Sequence, residues 1–297
     1  MVVTDNKKIA ASLHIELWNG KEDMLSDVEV AIASRAFAKY LLTTERPKLR
    51  CIQLTSAGFE GVDLTLAKDR GITVCNAANV YNVGMAEFVV YSILTSAKRY
   101  NHSIKNRRLR PFRNYHYITE LAGKTVGILG AGNIGGQIAK RLEAFDMCVL
   151  GYDLLIDERP HFNRIYNEQG LDEFLGQCDY IVNCMPLFPS TEGLLCREWF
   201  DKMKSTVTIV NVGRKKMIND KDLISFLKAN PDATAVLDMF EKIPNPFTNP
   251  YRRLSNVWVL PGVTAISREI DKKLADLCTR NLQNYYNGEQ LCNVINK

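Results

Sequence analysis

The fold is decided by one stretch of sequence, Gly127-Ile128-Leu129-Gly130-Ala131-Gly132-Asn133-Ile134-Gly135, in which three glycines follow an apolar strand at the spacing Gly-x-Gly-x-x-Gly. The first glycine permits a tight turn, the second lets the backbone approach a pyrophosphate, and the third lets a helix pack closely on the strand. The amino terminus of that helix offers unpaired N–H groups to an anion. We therefore expect this turn to bind a dinucleotide through Gly130, Gly132, Asn133, Ile134 and Gly135.

An acidic residue follows the next apolar strand, where the adenosine ribose of such a cofactor would lie. Asp153 stands 18 residues after Gly135, and a carboxylate at this place accepts hydrogen bonds from ribose hydroxyls. It also repels a 2′-phosphate, and its neighbours Leu154 and Leu155 supply no arginine. The sequence therefore favours NAD over NADP.

Short β-branched runs alternate with helical patterns along the chain, which is typical of βαβ units and a parallel sheet. The pattern predicts an α/β protein with a doubly wound parallel sheet, and we place a domain boundary just before the apolar helix predicted at 84–99. The predicted strands lie at 28–32, 50–54, 71–74, 125–129, 147–152, 180–184, 207–211, 235–238 and 257–260, and further helices at 134–142, 220–228 and 267–286.

Composition bounds the remaining possibilities. The chain has 297 residues, 46% of them hydrophobic and 24% charged, which fits two globular domains. A net charge of +5 without a long basic block gives no reason to expect nucleic-acid binding. The amino terminus lacks a signal-peptide pattern, and the longest apolar run, at 88–94, is far shorter than the ~20 residues of a membrane span. Eight cysteines without a Cys-x-x-Cys pair indicate no metal site and a reducing cytoplasm.

With these motifs in view, the sequence resembles the D-isomer-specific 2-hydroxyacid dehydrogenase family over most of its length. The resemblance rests on the order and spacing of six segments, at 55–59, 83–87, 121–130, 185–194, 211–214 and 237–241. It implies a Rossmann cofactor domain at 84–265 and a smaller flavodoxin-like domain built from 1–83 plus 266–297. It also implies a homodimer formed through the helix that begins near Gly84, which agrees with the uniformly apolar character of that helix.

The resemblance also implies roles for individual residues. The backbone of Ser56, Ala57 and Gly58 would hold a substrate carboxylate, and Arg214 would grip the carboxylate and carbonyl of a small 2-oxo or 2-hydroxy acid. A planar and permanently charged guanidinium suits that task. The remaining contacts to NAD would come from Met185, Pro186, Thr191, Val212 and Asp238.

Two positions depart from the family pattern. The family has a histidine as acid and base after a proline that follows the last strand of the cofactor domain, but Gly262 follows Pro261 here, and the last histidine of the chain is His161. The family also has a glutamate that orients this histidine, and Ile243 stands at its place. The sequence leaves five candidates for a substitute proton donor, namely Lys215, Lys216, Tyr81, Glu241 and His116.

Three hypotheses of function follow. The first is an NAD-dependent oxidoreductase of 2-hydroxy acids, weak because positioned proton transfer typically contributes ~10²–10⁴-fold. The second is a catalytically silent protein that binds NAD(H) as a sensor or as part of an assembly. The third is a structural dimer with vestigial cofactor binding, which the intact glycine loop, Asp153 and Asp238 count against because packing alone requires none of them.

Overall fold

The computed structural model describes residues 1–99, 118–238 and 249–296, and in this part of the chain all paired strands within the two sheets are parallel. The chain divides into two compact units. Unit 1 contains residues 1–81 and 266–297, and unit 2 contains residues 82–265. The predicted α/β class with parallel sheets is therefore confirmed.

Unit 1 is built around a five-stranded sheet with the order β2-β1-β3-β4-β5. Its strands and first helices are β1 (Val2–Thr4), α1 (Lys7–Leu13), β2 (Glu16–Leu17), β3 (Val30–Ala33), α2 (Arg35–Thr43), β4 (Cys51–Leu54), α3 (Leu64–Asp69) and β5 (Thr73–Cys75). The inner strands β3 and β4 are buried at every residue. Such continuous apolar runs are expected of parallel strands covered on both faces.

The end of the chain returns to unit 1, where its last helix (Ile270–Asn287) contacts α1. Within this helix the buried Asn281 donates through Nδ2 to Gln53 Oε1 on β4 at 2.6 Å. Beyond it, Val294 forms an antiparallel bridge with Cys75 at the sheet edge. These contacts explain how two segments far apart in sequence share one core.

Unit 2 contains a seven-stranded sheet with the order β12-β11-β10-β9-β6-β7-β8. Its elements are α4 (Asn82–Ala97), β6 (Thr125–Leu129), α5 (Asn133–Glu143), β7 (Cys148–Tyr152), β8 (Arg164–Tyr166), α6 (Leu171–Gln177), β9 (Tyr180–Asn183), α7 (Arg197–Phe200), β10 (Thr208–Asn211), α8 (Asp220–Ala229), β11 (Thr234–Leu237) and β12 (Val257–Val259); the last helix of the chain, Ile270–Asn287, is α9. The chain leaves β6 in one direction toward β8 and then crosses to β9 on the other side. Ligands of open α/β sheets bind at such a reversal of strand order, at the carboxyl ends of the strands.

The apolar helix α4 is largely buried in unit 2, where Ala86, Val89 and Ile93 are fully covered and pack against residues of α5 and the sheet. Packing inside one subunit therefore accounts for much of its apolar character. The sequence pattern missed three short strands, β1, β2 and β8, because two or three residues carry too little periodicity. Among the described residues, no helix is long and apolar enough to cross a membrane.

Candidate functional site

The glycine turn joins β6 to α5 at the reversal of strand order. Gly130 has φ +94°, a backbone conformation that residues with a side chain rarely adopt, and a Cβ at this position would lie 3.1–3.3 Å from Met185. A Cβ on Gly135 would lie 2.1 Å from the carbonyl oxygen of Gly130, so helix and turn touch backbone to backbone there. A Cβ on Gly132, by contrast, meets no atom within 4 Å. The turn therefore leaves open space at the start of the helix.

The first amides of α5 point out of the helix end. The internal hydrogen bonds begin with the Gly136 amide, which donates to the Gly132 carbonyl at 2.8 Å. The amides of Asn133 and Ile134 therefore have no partner inside the helix, as expected for a first turn. Together with the helix dipole they form a fitting place for the pyrophosphate of a dinucleotide.

Asp153 lies at the carboxyl end of β7 and is tied to the glycine turn. Its Oδ2 accepts hydrogen bonds from the Ala131 amide at 3.0 Å and from Arg159 Nη1 at 2.9 Å, and its Oδ1 accepts one from the Leu154 amide at 2.8 Å. The sequence reasoning considered only the residues adjacent to Asp153 and missed this arginine. A cation thus lies directly beside the carboxylate that was expected to repel a 2′-phosphate.

A buried pair of asparagines, which sequence reasoning did not single out, joins the ends of β9 and β10. Asn183 Nδ2 donates to Asn211 Oδ1 at 2.9 Å, and both side chains are fully buried. The same two side chains accept hydrogen bonds from the amides of Met185 and Gly213, at 3.2 and 3.0 Å. The pair therefore shapes the two loops that carry Met185 and Arg214. Its only sequence signal was an asparagine at the end of each apolar run.

The loop after β9 is closed by Thr191. Its hydroxyl donates to the Pro186 carbonyl at 3.1 Å and accepts a hydrogen bond from the Phe188 amide at 2.8 Å. Met185 lies buried at the beginning of the loop, next to Gly130. The structure thus brings the predicted cofactor residues Met185, Pro186 and Thr191 into one loop beside the glycine turn.

Arg214 follows β10 and is half-buried. Val212, two residues before it, is buried and donates from its amide to the Asn183 carbonyl at 3.0 Å. The next two residues are exposed lysines, and both form ion pairs. Lys215 Nζ lies 3.3 Å from Asp220, and Lys216 Nζ lies 3.4 Å from Glu192.

Of the other candidates for a proton donor, only Tyr81 belongs to the part of the chain that the structure describes. Tyr81, in unit 1, donates its hydroxyl to the Thr55 carbonyl at 2.6 Å, and burial raises the pKa of this hydroxyl. Glu241 and His116 lie outside the described residues, as does Ile243.

The segment after Gly262, the position at which the resemblance implies a histidine, is anchored to Asp238. This buried carboxylate accepts hydrogen bonds from the amides of Val263, at 2.9 Å, and Thr264, at 2.6 Å, and from the Thr264 hydroxyl. Gly262 has φ +71°. The backbone at the histidine position therefore has a conformation suited to glycine, and Asp238 fixes the residues that follow it.

In unit 1, the carbonyl groups of the loop after β4 have hydrogen-bond partners. The Ser56 carbonyl accepts from the Ala77 amide at 3.0 Å, the Ala57 carbonyl accepts from Asn76 Nδ2 at 2.8 Å, and the Gly58 carbonyl accepts from the Ser56 hydroxyl at 2.6 Å. Three consecutive carbonyls thus have partners within the unit. Among the described residues, no acceptor is found for the amides of Ala57 and Gly58, which makes them candidates for binding an anion.

Comparison with known proteins gives this geometry its context. Residues 89–263 match the family model described as the NAD binding domain of D-isomer specific 2-hydroxyacid dehydrogenases. The chain belongs to this family. The match confirms the resemblance inferred from the sequence, and with it the expected class of cofactor.

Individual relatives agree. The chain is 33% identical over 260 residues to a glyoxylate reductase of Thermofilum pendens, covering 84% of this chain and 76% of that protein. It is 31% identical over 251 residues to a D-3-phosphoglycerate dehydrogenase of Methanocaldococcus jannaschii, and there it spans about half (48%) of the relative's length. A crystal structure of a family protein from Aeromonas salmonicida matches with a TM-score of 0.83 and 28% identity, over 99% of this chain and 98% of that one.

Proposed function

We propose that this protein is an NAD(H)-dependent oxidoreductase that interconverts a small 2-oxo acid and its 2-hydroxy acid slowly. The observation that carries the proposal is the start of α5, where two outward amides and the open space at Gly132 lie beside a carboxylate at the end of β7. Relatives named glyoxylate reductase and hydroxypyruvate reductase support a small 2-oxo acid as substrate.

The cofactor would lie along the carboxyl ends of the unit 2 strands. The α5 amides would hold its pyrophosphate, and Asp153 would accept from the ribose. The nicotinamide end would lie among residues of the neighbouring loops. In full, we assign to the cofactor Gly130, Gly132, Asn133, Ile134, Gly135, Asp153, Met185, Pro186, Thr191, Val212 and Asp238.

Substrate binding is assigned to cationic and amide groups that suit a carboxylate. We propose that Arg214 binds the carboxylate in a bidentate manner and polarises the reacting carbonyl, and that the amides after Ser56 bind an anion of the same class. When bound, the nicotinamide supplies or accepts the hydride. The chain itself positions the carbonyl carbon and stabilises the negative charge that develops on its oxygen.

In this proposal, proton transfer is the step that makes turnover slow. No imidazole is present at Gly262, and Lys215 and Lys216 already engage carboxylates in ion pairs. We propose that water delivers the proton, so the rate lacks the ~10²–10⁴-fold contribution of a positioned acid. The rate should also lack a titration near the ordinary histidine pKa of ≈ 6.5.

One observation favours a second candidate, an NAD(H)-binding protein without turnover. At Gly262 φ is +71°, a backbone conformation that a histidine would rarely adopt, and Asp238 anchors the next two residues. Such a segment suits a protein whose cofactor binding serves sensing or assembly.

We further propose a homodimer formed through α4. Although most of the helix is buried, Tyr91 is 57% exposed and its ring lies 6.1 Å from that of Phe88. A large aromatic surface on an otherwise apolar helix fits a contact with a second copy. A monomeric mass by light scattering at micromolar concentration would contradict this.

The eight unpaired thiols agree with a reducing cytoplasm.

The test is an NADH binding titration by nicotinamide fluorescence, followed by steady-state oxidation of NADH with glyoxylate, pyruvate and hydroxypyruvate. The proposal expects saturable binding and slow turnover that does not change around pH 6.5. Binding without turnover on any 2-oxo acid would favour the second candidate. Absence of NADH binding would refute both.

A further inference from the structure

Arg159 is held between two carboxylates at the adenosine end of the proposed cofactor site. Its Nη1 donates to Asp153 at 2.9 Å and its Nε donates to Asp157 at 2.7 Å, and only 19% of its side chain is exposed. The chain from Leu154 to Ile156 loops outward, with those apolar side chains 93, 68 and 61% exposed, so that Arg159 can reach back. Hydrogen bonds to two carboxylates fix the orientation of the guanidinium, which is therefore not a freely solvated surface charge.

We propose that Arg159 is a specificity-determining residue, which orients Asp153 for a ribose diol and becomes a receptor for the 2′-phosphate of NADP(H) when that carboxylate is neutralised. The proposal rests on the cofactor binding proposed above. It makes Asp153 and Arg159 one functional unit, in which the carboxylate both accepts from the ribose and occupies the arginine.

Hydrogen-bond counting supports the first part. An ionised carboxylate offers about four acceptor positions. In the described part of the chain, Asp153 uses three of them for the Ala131 amide, the Leu154 amide and Arg159. The remaining position, on Oδ1, is therefore the one that would be available to a ribose hydroxyl. Arg159 and the Ala131 amide together fix Oδ2 and so orient Oδ1.

Geometry supports the second part. If the charge at Asp153 is removed, the bond from Nε to Asp157 still holds the guanidinium in place. Its Nη1, which donates to Asp153 at 2.9 Å, would then no longer face a negative charge and would be available to a 2′-phosphate bound beside that residue. Arginine binds phosphate with two parallel N–H donors, which a lysine cannot reproduce. Asp157 is about half exposed, so solvent screens its repulsion of the phosphate.

The test measures dissociation constants for NADH and NADPH by fluorescence in the natural protein, three variants and one control variant. Asp153→Asn removes the charge but keeps an oxygen for the Ala131 amide, so the glycine turn retains its partner. We expect the ratio of NADPH to NADH affinity to rise by about tenfold or more, the worth of a new charge-assisted hydrogen bond. The double variant Asp153→Asn with Arg159→Ala should lose this gain. Arg159→Ala alone should weaken NADH binding, because Asp153 loses its orienting partner.

Arg164→Ala provides the matched control. Arg164 begins the neighbouring strand β8, and its ion pair with Glu173 at 3.0 Å does not involve Asp153. Its removal should leave the NADPH to NADH ratio unchanged. Thermal unfolding checks each variant, and Arg159→Gln replaces Arg159→Ala if the latter does not fold.

The outcomes separate this inference from the function on which it rests. If NADH binds to the natural protein but Asp153→Asn changes the ratio equally with and without Arg159, the inference about Arg159 is wrong and the proposed function stands. If neither dinucleotide binds to the natural protein or to Asp153→Asn, both are wrong. A gain in NADPH affinity that requires Arg159 supports the inference.

Discussion

Replacing Gly135 with alanine is expected to push α5 away from the end of β6. The new Cβ would lie 2.1 Å from the Gly130 carbonyl oxygen, so one backbone segment must move by about 1 Å. Because the clash is with backbone and not with the end of a flexible side chain, we expect a cost of about 2–3 kcal/mol, in the upper part of the range for overpacking. This lowers the thermal unfolding midpoint by about 4–12 °C for a unit of this size.

The same shift should weaken cofactor binding. It displaces the outward amides of Asn133 and Ile134, and loss of a charge-assisted hydrogen bond to the pyrophosphate costs about tenfold in affinity. Fluorescence titration with NADH measures this directly.

Gly136→Ala is the matched control, one residue further along the same helix. A Cβ there meets no atom within 4 Å. Alanine also favours a helix interior over glycine by roughly 0.5–1 kcal/mol. The control should therefore be as stable as the natural protein or slightly more stable, with unchanged NADH affinity. If Gly135→Ala and Gly136→Ala have the same midpoint and the same affinity, the close approach of α5 to the glycine turn does not have the importance assigned to it.

Three other predictions address the substrate, the segment at Gly262 and the core. Arg214→Ala should abolish binding of a carboxylate inhibitor such as oxalate while NADH affinity changes by less than about twofold, because the guanidinium binds the substrate. Equal losses of affinity for the inhibitor and for NADH would contradict the assignment of Arg214. Gly262→His should destabilise the protein by about 1–2 kcal/mol, because φ is +71° at this position. It should raise turnover most when it is combined with Ile243→Glu. A single variant as active as the double variant would contradict the proposed cooperation of the two side chains. Burial raises the pKa of the Cys178 and Cys278 thiols from 9.0 to about 12. The folded state therefore keeps these thiols protonated, and the free energy of unfolding falls by about 1.4 kcal/mol per thiol and pH unit as the pH rises from 9 toward 12, with no such loss below pH 9. Equal urea midpoints at about pH 8 and about pH 10.5 would refute this.

The parts of the fold that were predictable from the sequence are those with a strong local signal. Long β-branched runs such as 125–129 and 180–184 and the glycine spacing at 130–135 identify a parallel doubly wound sheet, because each signal lies within one element. Strand β8 has three residues and an exposed arginine at its start, which is too short to show a period.

The parts that were not predictable depend on contacts between residues separated in sequence. Arg159 meets Asp153 only because the intervening loop closes, and the sequence shows no such closure. Likewise, the two amides that donate hydrogen bonds to Asp238 lie 25 residues or more from it in the sequence. The glycine at position 262 was visible in the sequence, but its positive φ was not.

We propose that this chain transfers hydride to a small 2-oxo acid without a catalytic histidine. This proposal is tested most directly by incubating stoichiometric protein with glyoxylate and NADH deuterated at C4, and analysing the 2-hydroxy acid by mass spectrometry. We expect slow formation of glycolate that carries one deuterium at C2 from one of the two C4-deuterated epimers, and loss of this product in Arg214→Ala. Absence of deuterated product after prolonged incubation, with NADH shown to be bound, would contradict it and leave an NAD(H)-binding protein without turnover.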